Sequence, residues 1–211
     1  TYTYVMAETN THKAGYTYDS STFTVEVTPH DNGNGTMSCD VTYYRGSGDS
    51  KVALPAGELP QFNNEYHATG STTIVAYKNL TGRTLADKEF TFDLYRVDES
   101  NGQRNATKIS TAQNDANGRI AFDELAYTEA DAGKTYTYYA VEEQGKDDSV
   151  NYSSEVLAWT VFVQDNGDGT LSETITSVKG EGLLAEDGSL SQDWTPTATT
   201  DAPTFHNTLK D

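Results

Sequence analysis

The 211 residues include 14 Lys and Arg against 32 Asp and Glu, giving a net charge of −18. So acidic a chain argues against nucleic acid or an anionic membrane as partner, since both are recognised by clustered positive charge. Its single cysteine, Cys39, excludes an internal disulfide.

No signal peptide is recognisable and no apolar run is long enough to span a bilayer. Any export or anchoring signal is therefore expected outside this sequence, and no membrane contact is expected within it. A chain rich in Tyr, Thr, Gly and Asn fits a surface protein, yet it lacks the usual disulfide staples.

In chain order, residues 1–66 read as a strand ending at Glu8, a strand over 22–28, an Asn-Gly turn at 31–35 and a strand over 37–44. A looser Gly/Ser/Pro segment follows and leads to Gln61-Phe62-Asn63-Asn64-Glu65-Tyr66. His67 to Ser71 reads as a short linker. Residues 72–80 form the next strand, whose alternation sets Ile74, Ala76 and Lys78 on one face. Phe90, Phe92 and Leu94 share one side of another strand, and Arg119 to Leu125 follows Asn117-Gly118. Two alternating runs, 136–140 and 157–163, flank the Glu142-Glu143 pair, and the second enters the turn Asp165-Asn166-Gly167-Asp168-Gly169. Residues 203–209 close the chain. Beyond a short turn near 128–132, no helical period is sustained. The expectation is all-β: antiparallel sandwich modules of immunoglobulin-like type, in tandem.

The two halves repeat. Thr1-Tyr2-Thr3-Tyr4 matches Thr135-Tyr136-Thr137-Tyr138, Glu8 matches Glu142, and residues 31–36 match 165–170. The offset is constant, 142 − 8 = 134 and 165 − 31 = 134, so one building block is used twice. Residues 72–211 form a complete module; residues 1–66 correspond only to the latter half of one.

Three residues break the pattern. Lys78 aims its amine at the apolar face of its strand, Glu142 sits on the central Tyr-rich strand, and Asn207 lies on the last strand. Singly, each has an ordinary reading: a lysine snorkelling to solvent, a carboxylate in an ion pair, and a hydrogen-bonding asparagine near a chain end.

Taken in order, the segments Ala76-Tyr77-Lys78-Asn79-Leu80-Thr81-Gly82-Arg83-Thr84-Leu85, Phe90 to Leu94, Gly118 to Phe122, Tyr136-Thr137-Tyr138 with Glu142 four residues on, the Asp165–Leu171 hairpin and Phe205-His206-Asn207 resemble the isopeptide-forming FctA, or major-pilin, domains of Gram-positive surface proteins. The resemblance covers 72–211, and its second half covers 1–66. It implies an intramolecular bond between Lys78 and Asn207 with Glu142 as the catalytic carboxylate. A buried lysine loses its ammonium form and becomes nucleophilic. A protonated glutamate beside it would donate to the asparagine carbonyl oxygen and shuttle protons while ammonia leaves. This is one self-processing event, and no enzyme turnover or cofactor is expected. A one-residue slip would turn Glu143 inward instead. The repeat pairs Glu142 with Glu8 and favours Glu142, although Ala140 and Met6 stand where the family pattern has Val.

The resemblance further implies a stalk or pilin-backbone module on a Gram-positive cell wall, with neighbouring modules of the same protein or pilus as partners. In the first half-module Glu8 and Asn64 take the Glu and Asn places, but Lys13 and Lys51 lie in turns. Another chain or a cleaved segment is expected to supply the missing strands, unless Asn64 stays unlinked. The rival reading is an adhesin that binds a host glycan or protein through exposed aromatics around 184–195, including Trp194. A glycosidase would need two carboxylates facing across a cleft, and no such pair is visible. The turn at 165–169 lacks the ligand spacing of a calcium loop. Leu54-Pro55-Ala56-Gly57-Glu58 lacks the Thr of a sortase signal, and the scattered His12, His30, His67 and His206 lack zinc spacing, so no metal is expected.

Overall fold

The computed structural model describes residues 1–210. The chain divides into two compact units, Thr1–His67 with Gly167–Gly169, and Ala68–Asn166 with Thr170 onward. It is all-β, with two short 3-10 turns at Gly48–Ser50 and Glu129–Asp131, and no helix is long and apolar enough to cross a membrane.

Unit 1 contains β1 (Tyr2–Ala7), β2 (Tyr16–Thr17), β3 (Thr22–Asp31), β4 (Met37–Arg45), β5 (Val52–Ala53) and β6 (Glu65–Tyr66). The sheet order is β1-β3-β4-β5, with β2 and β6 paired separately. Direct antiparallel partners share a face, so the rows Tyr4, Val25, Tyr43 and Tyr2, Val27, Val41 make one side of this sheet apolar. Among the described residues of unit 1 only Phe23 and Thr24 are buried.

Unit 2 contains β7 (Thr69–Thr72), β8 (Val75–Thr81), β9 (Thr91–Ser100), β10 (Gln103–Gln113), β11 (Arg119–Ala121), β12 (Leu125–Thr128), β13 (Thr135–Glu142), β14 (Val150–Asn151), β15 (Leu157–Asp165), β16 (Leu171–Lys179) and β17 (Thr204–Leu209). A five-stranded sheet, β10-β9-β13-β15-β16, faces a four-stranded one, β11-β8-β17-β14. Phe92, Leu94, Tyr138, Ala140, Trp159, Val161 and Val163 of the first sheet are buried, as are Ala76, Ile120 and Phe205 of the second and Ile74 just before β8. Phe92 stacks on Phe205 at 4.9 Å between ring centres. On the outer face of the five-stranded sheet, Tyr139, Ala158 and Val178 pack with Leu183, and Leu184, Leu190 and Trp194 close over them.

Four features depart from the sequence reading. The segment read as a linker over 67–71 is mostly strand β7, paired with β12. Its small polar residues carry no apolar alternation, but Gly70 admits Glu173, whose Oε1 would lie 2.0 Å from an added Cβ. The strand expected from Arg119 to Leu125 is split into β11 and β12. Strand β10 was not anticipated, because it is a polar edge strand with few buried positions. The pairing is not wholly antiparallel: β17 runs parallel to β8, with Phe205 opposite Lys78 and Asn207 opposite Leu80. A parallel neighbour distant in sequence leaves no hairpin signal between the two strands.

Candidate functional site

Lys78 enters the core because its strand alternates: Ile74 and Ala76 are fully buried and Lys78 follows on the same face. The Lys78 amide donates to the Gly118 carbonyl at 2.7 Å, which fixes the strand at that point. Asn207 follows Phe205 by two residues on the adjacent β17, so it shares that face and is 1 % exposed. Glu142 ends β13 opposite Phe92 on the facing sheet and points into the same space. Glu143 is exposed and donates its amide to the Thr91 carbonyl, so Glu142 is the inward member of the pair.

The three groups meet across the sandwich. Lys78 Nζ donates to Glu142 Oε2 at 2.9 Å, and Asn207 Nδ2 donates to Glu142 Oε1 at 2.7 Å. The side chains of Lys78 and Glu142 are both 0 % exposed. The amine lies 4.7 Å from the Phe90 ring centre and 5.9 Å from that of Phe92. Burial lowers the Lys78 pKa below its ordinary value and outweighs the opposing pull of Glu142.

A further participant escaped the sequence reading. The Ser153 amide donates to Asn207 Oδ1 at 2.6 Å and lies 3.3 Å from Glu142 Oε2. The carbonyl oxygen is thus held by a backbone N–H, while Glu142 faces the amide nitrogen; the expected donation from Glu142 to that oxygen is not the arrangement found. Ser153 is itself fixed by Glu155, which accepts from the Ser153 hydroxyl at 2.8 Å and from the His206 amide at 2.7 Å. A signal existed in the repeat, since Tyr18 matches Tyr152 and so aligns Asp19 with Ser153, but a backbone donor has no side-chain signature.

Unit 1 brings Glu8 and Asn64 together: Asn64 Nδ2 donates to Glu8 Oε1 at 2.6 Å, and Asn64 Oδ1 accepts from the Asp19 amide at 2.8 Å. Asp19 is the repeat equivalent of Ser153, 153 − 19 = 134. Its carboxylate accepts from the Asn63 amide at 2.7 Å and the Ser21 amide at 2.7 Å, so it does the work of Glu155 in unit 2. These bonds hold the Asp19 carboxyl below the usual range. Lys13 lies over the Tyr16 ring, and Lys51 pairs with Glu26 at 3.2 Å. Neither reaches Glu8. Trp194, offered as part of a ligand surface, is half-buried against the outer cluster of unit 2.

No curated protein matches the sequence. The solved structure of the major pilin protein T-13 from Streptococcus pyogenes is similar at 17% identity, with a TM-score of 0.26, over 99% of this chain and 66% of that one. The present chain therefore spans just under two thirds of that pilin. The FctA family, described as the Spy0128-like isopeptide containing domain, matches residues 1–67 and 74–210. With both segments matched over nearly the whole sequence, the chain belongs to the FctA family.

Proposed function

We propose that unit 2 is a self-crosslinked structural module of a surface stalk or pilus backbone, in which Lys78 and Asn207 are joined through an isopeptide bond. The observation that carries this reading is the buried contact of Lys78, Glu142 and Asn207 across the core. The neutral Lys78 amine attacks Asn207 Cγ, the Cγ–Nδ2 bond breaks, and the nitrogen leaves as ammonia. Burial among Phe90 and Phe92 supplies the neutral amine. Glu142 touches both nitrogens, so it takes a proton from the attacking amine and delivers it to the departing one. The Ser153 N–H faces the oxygen on which negative charge grows. Folding supplies the proximity.

The reaction occurs once per chain and is not enzymatic turnover. The bond ties the strand that opens the sandwich to the strand that closes it, which suits a load-bearing role outside a Gram-positive cell wall. Partners would be neighbouring modules of the same protein or pilus. Residues 1–67 would be the latter half of a like module, completed by strands from outside that segment. Tyr4 supports this: it is 56% exposed, whereas its repeat equivalent Tyr138 is 3% exposed, with its hydroxyl against that of Tyr127 on β12.

Intact mass of the purified chain tests the reading. It should fall one ammonia below the sequence mass, with Lys78 and Asn207 in a branched peptide. The deficit should vanish in Lys78→Ala and in Glu142→Ala. A wild-type chain of full sequence mass would sink the proposal.

A further inference from the structure

The carbonyl oxygen of Asn207 is held from the loop between β14 and β15, while the asparagine itself sits on β17, so loop and strand must be kept in register. One exposed carboxylate ties them together. Glu155 Oε2 accepts from the Ser153 hydroxyl at 2.8 Å and from the amide of His206, the residue before Asn207, at 2.7 Å. The Glu155 amide donates back to Ser153 Oγ at 3.2 Å, and His206 Nδ1 lies 3.0 Å from Glu155 Oε1. Unit 1 makes the same bridge from a different residue. Asp19, at the place of Ser153, accepts through Oδ2 from the amide of Asn63, the residue before Asn64, at 2.7 Å. Its Oδ1 accepts from the Ser21 amide at 2.7 Å, and Ser21 stands at the place of Glu155, 155 − 134 = 21. The acid has changed position along the loop, yet the connection is kept. In each unit a carboxylate joins the loop whose amide holds the asparagine oxygen to the residue before that asparagine. An incidental surface bond has no reason to be rebuilt from another residue.

From these contacts we infer that Glu155 is a positioning residue for the Lys78–Asn207 reaction: its carboxylate fixes the Ser153 N–H against the Asn207 carbonyl oxygen while the amide carbon becomes tetrahedral. The inference rests on the bond formation proposed for unit 2. Among the described residues the hydrogen bonds of Glu155 go to Ser153 and His206, so it acts through the donor and not on the reacting atoms. Its charge by itself works against the reaction. Burial lowers the Lys78 pKa, and the Glu155 charge is among those that pull it back up, towards the unreactive ammonium. A negative charge near a developing oxyanion is also unfavourable. What the carboxylate contributes is geometry: a donor already aimed at the oxyanion needs no reorganisation at the moment of reaction. Burial would raise the Glu155 carboxyl, but the bonds from Ser153 and His206 outweigh it and hold it below the usual carboxylate range, so the bridge is ionised at neutral pH.

Time courses of ammonia loss, followed by intact mass on the freshly synthesised chain across a pH series, test this. The wild-type rate should rise with pH to a plateau at which Lys78 is neutral. Glu155→Ala should lower that plateau by about 10- to 100-fold without moving it to higher pH. The Glu155 side chain is 43% exposed, so this variant keeps its core. Ser153→Asp/Glu155→Ala, which copies the arrangement of unit 1, should restore most of the rate. An unchanged or faster rate in Glu155→Ala would leave only the effect of charge and overturn the inference. A plateau of wild-type height displaced to higher pH would overturn it too, since Glu155 would then only keep water from Lys78. A folded Ser153→Asp/Glu155→Ala chain that links as slowly as Glu155→Ala would refute the bridge. If the wild-type chain itself never loses ammonia, the reading of unit 2 falls and this inference with it. A linked wild type beside an indifferent Glu155→Ala removes this inference alone.

Discussion

A lysine buried beside two phenylalanines is a poor ammonium and a good nucleophile. Because burial lowers its pKa from 10.5, the reactive neutral form appears at lower pH than for a free lysine. The sign is fixed: raising the pH deprotonates Lys78 and speeds bond formation until the folded-state pKa is passed. Freshly synthesised chain, quenched at intervals and weighed, should lose ammonia at a rate that climbs with pH and levels off before 10.5. A rate still climbing beyond that pH would mean the amine is not activated by burial. Removing the bond without stranding a charge calls for the double variant Lys78→Met/Glu142→Gln, since a lone buried Glu142 would itself destabilise. The lost closure spans 207 − 78 = 129 residues, for which chain entropy gives roughly 4–5 kcal/mol. Urea unfolding of the double variant against wild type measures it, and equal midpoints would contradict a crosslink.

Single turns aim these side chains. Gly118 has φ +87, and an added Cβ would lie 2.3 Å from the Lys78 carbonyl oxygen. Gly118→Ala therefore combines a left-handed backbone penalty with a push on the strand that presents the amine. In the unlinked double-variant background it should destabilise by roughly 1–3 kcal/mol. With Lys78 and Glu142 present it should slow ammonia loss. A Gly118→Ala chain that links at the wild-type rate would show that β8 tolerates displacement. The paired hairpins follow the same logic twice. Asn32 donates to the Thr36 carbonyl and Asn166 to the Thr170 carbonyl, each at 3.1 Å, around glycines with positive φ. These turns were legible because Asn-Gly and Asp-Gly tolerate that conformation. Strand β10 was not, since an edge strand needs little apolar sequence to pair.

Force applied at the two ends of unit 2 would enter near β8 and leave near β17, the pair joined by the proposed bond. Single-molecule pulling should show no extension from the segment between Lys78 and Asn207 in wild type. The double variant should release about 450 Å more, at about 3.5 Å for each of 129 residues. Equal contour lengths would defeat the load-bearing role. Unit 1, with two buried residues in all, lacks the interior to resist force by itself.

The sequence by itself determined the all-β class, the repeat with its offset of 134, the period-two face that carries Lys78, and the glycine turns. Each of these depends on local backbone preference or on matching text within one chain. Only the tertiary structure decided that β8 and β17 run parallel, that Glu142 faces the amide nitrogen of Asn207 instead of its oxygen, and that the Ser153 N–H holds that oxygen. It alone separated Tyr138, covered, from its copy Tyr4, open. The reason is physical: alternation along a strand states which residues share a face, but what lies opposite that face is set by strands distant in sequence.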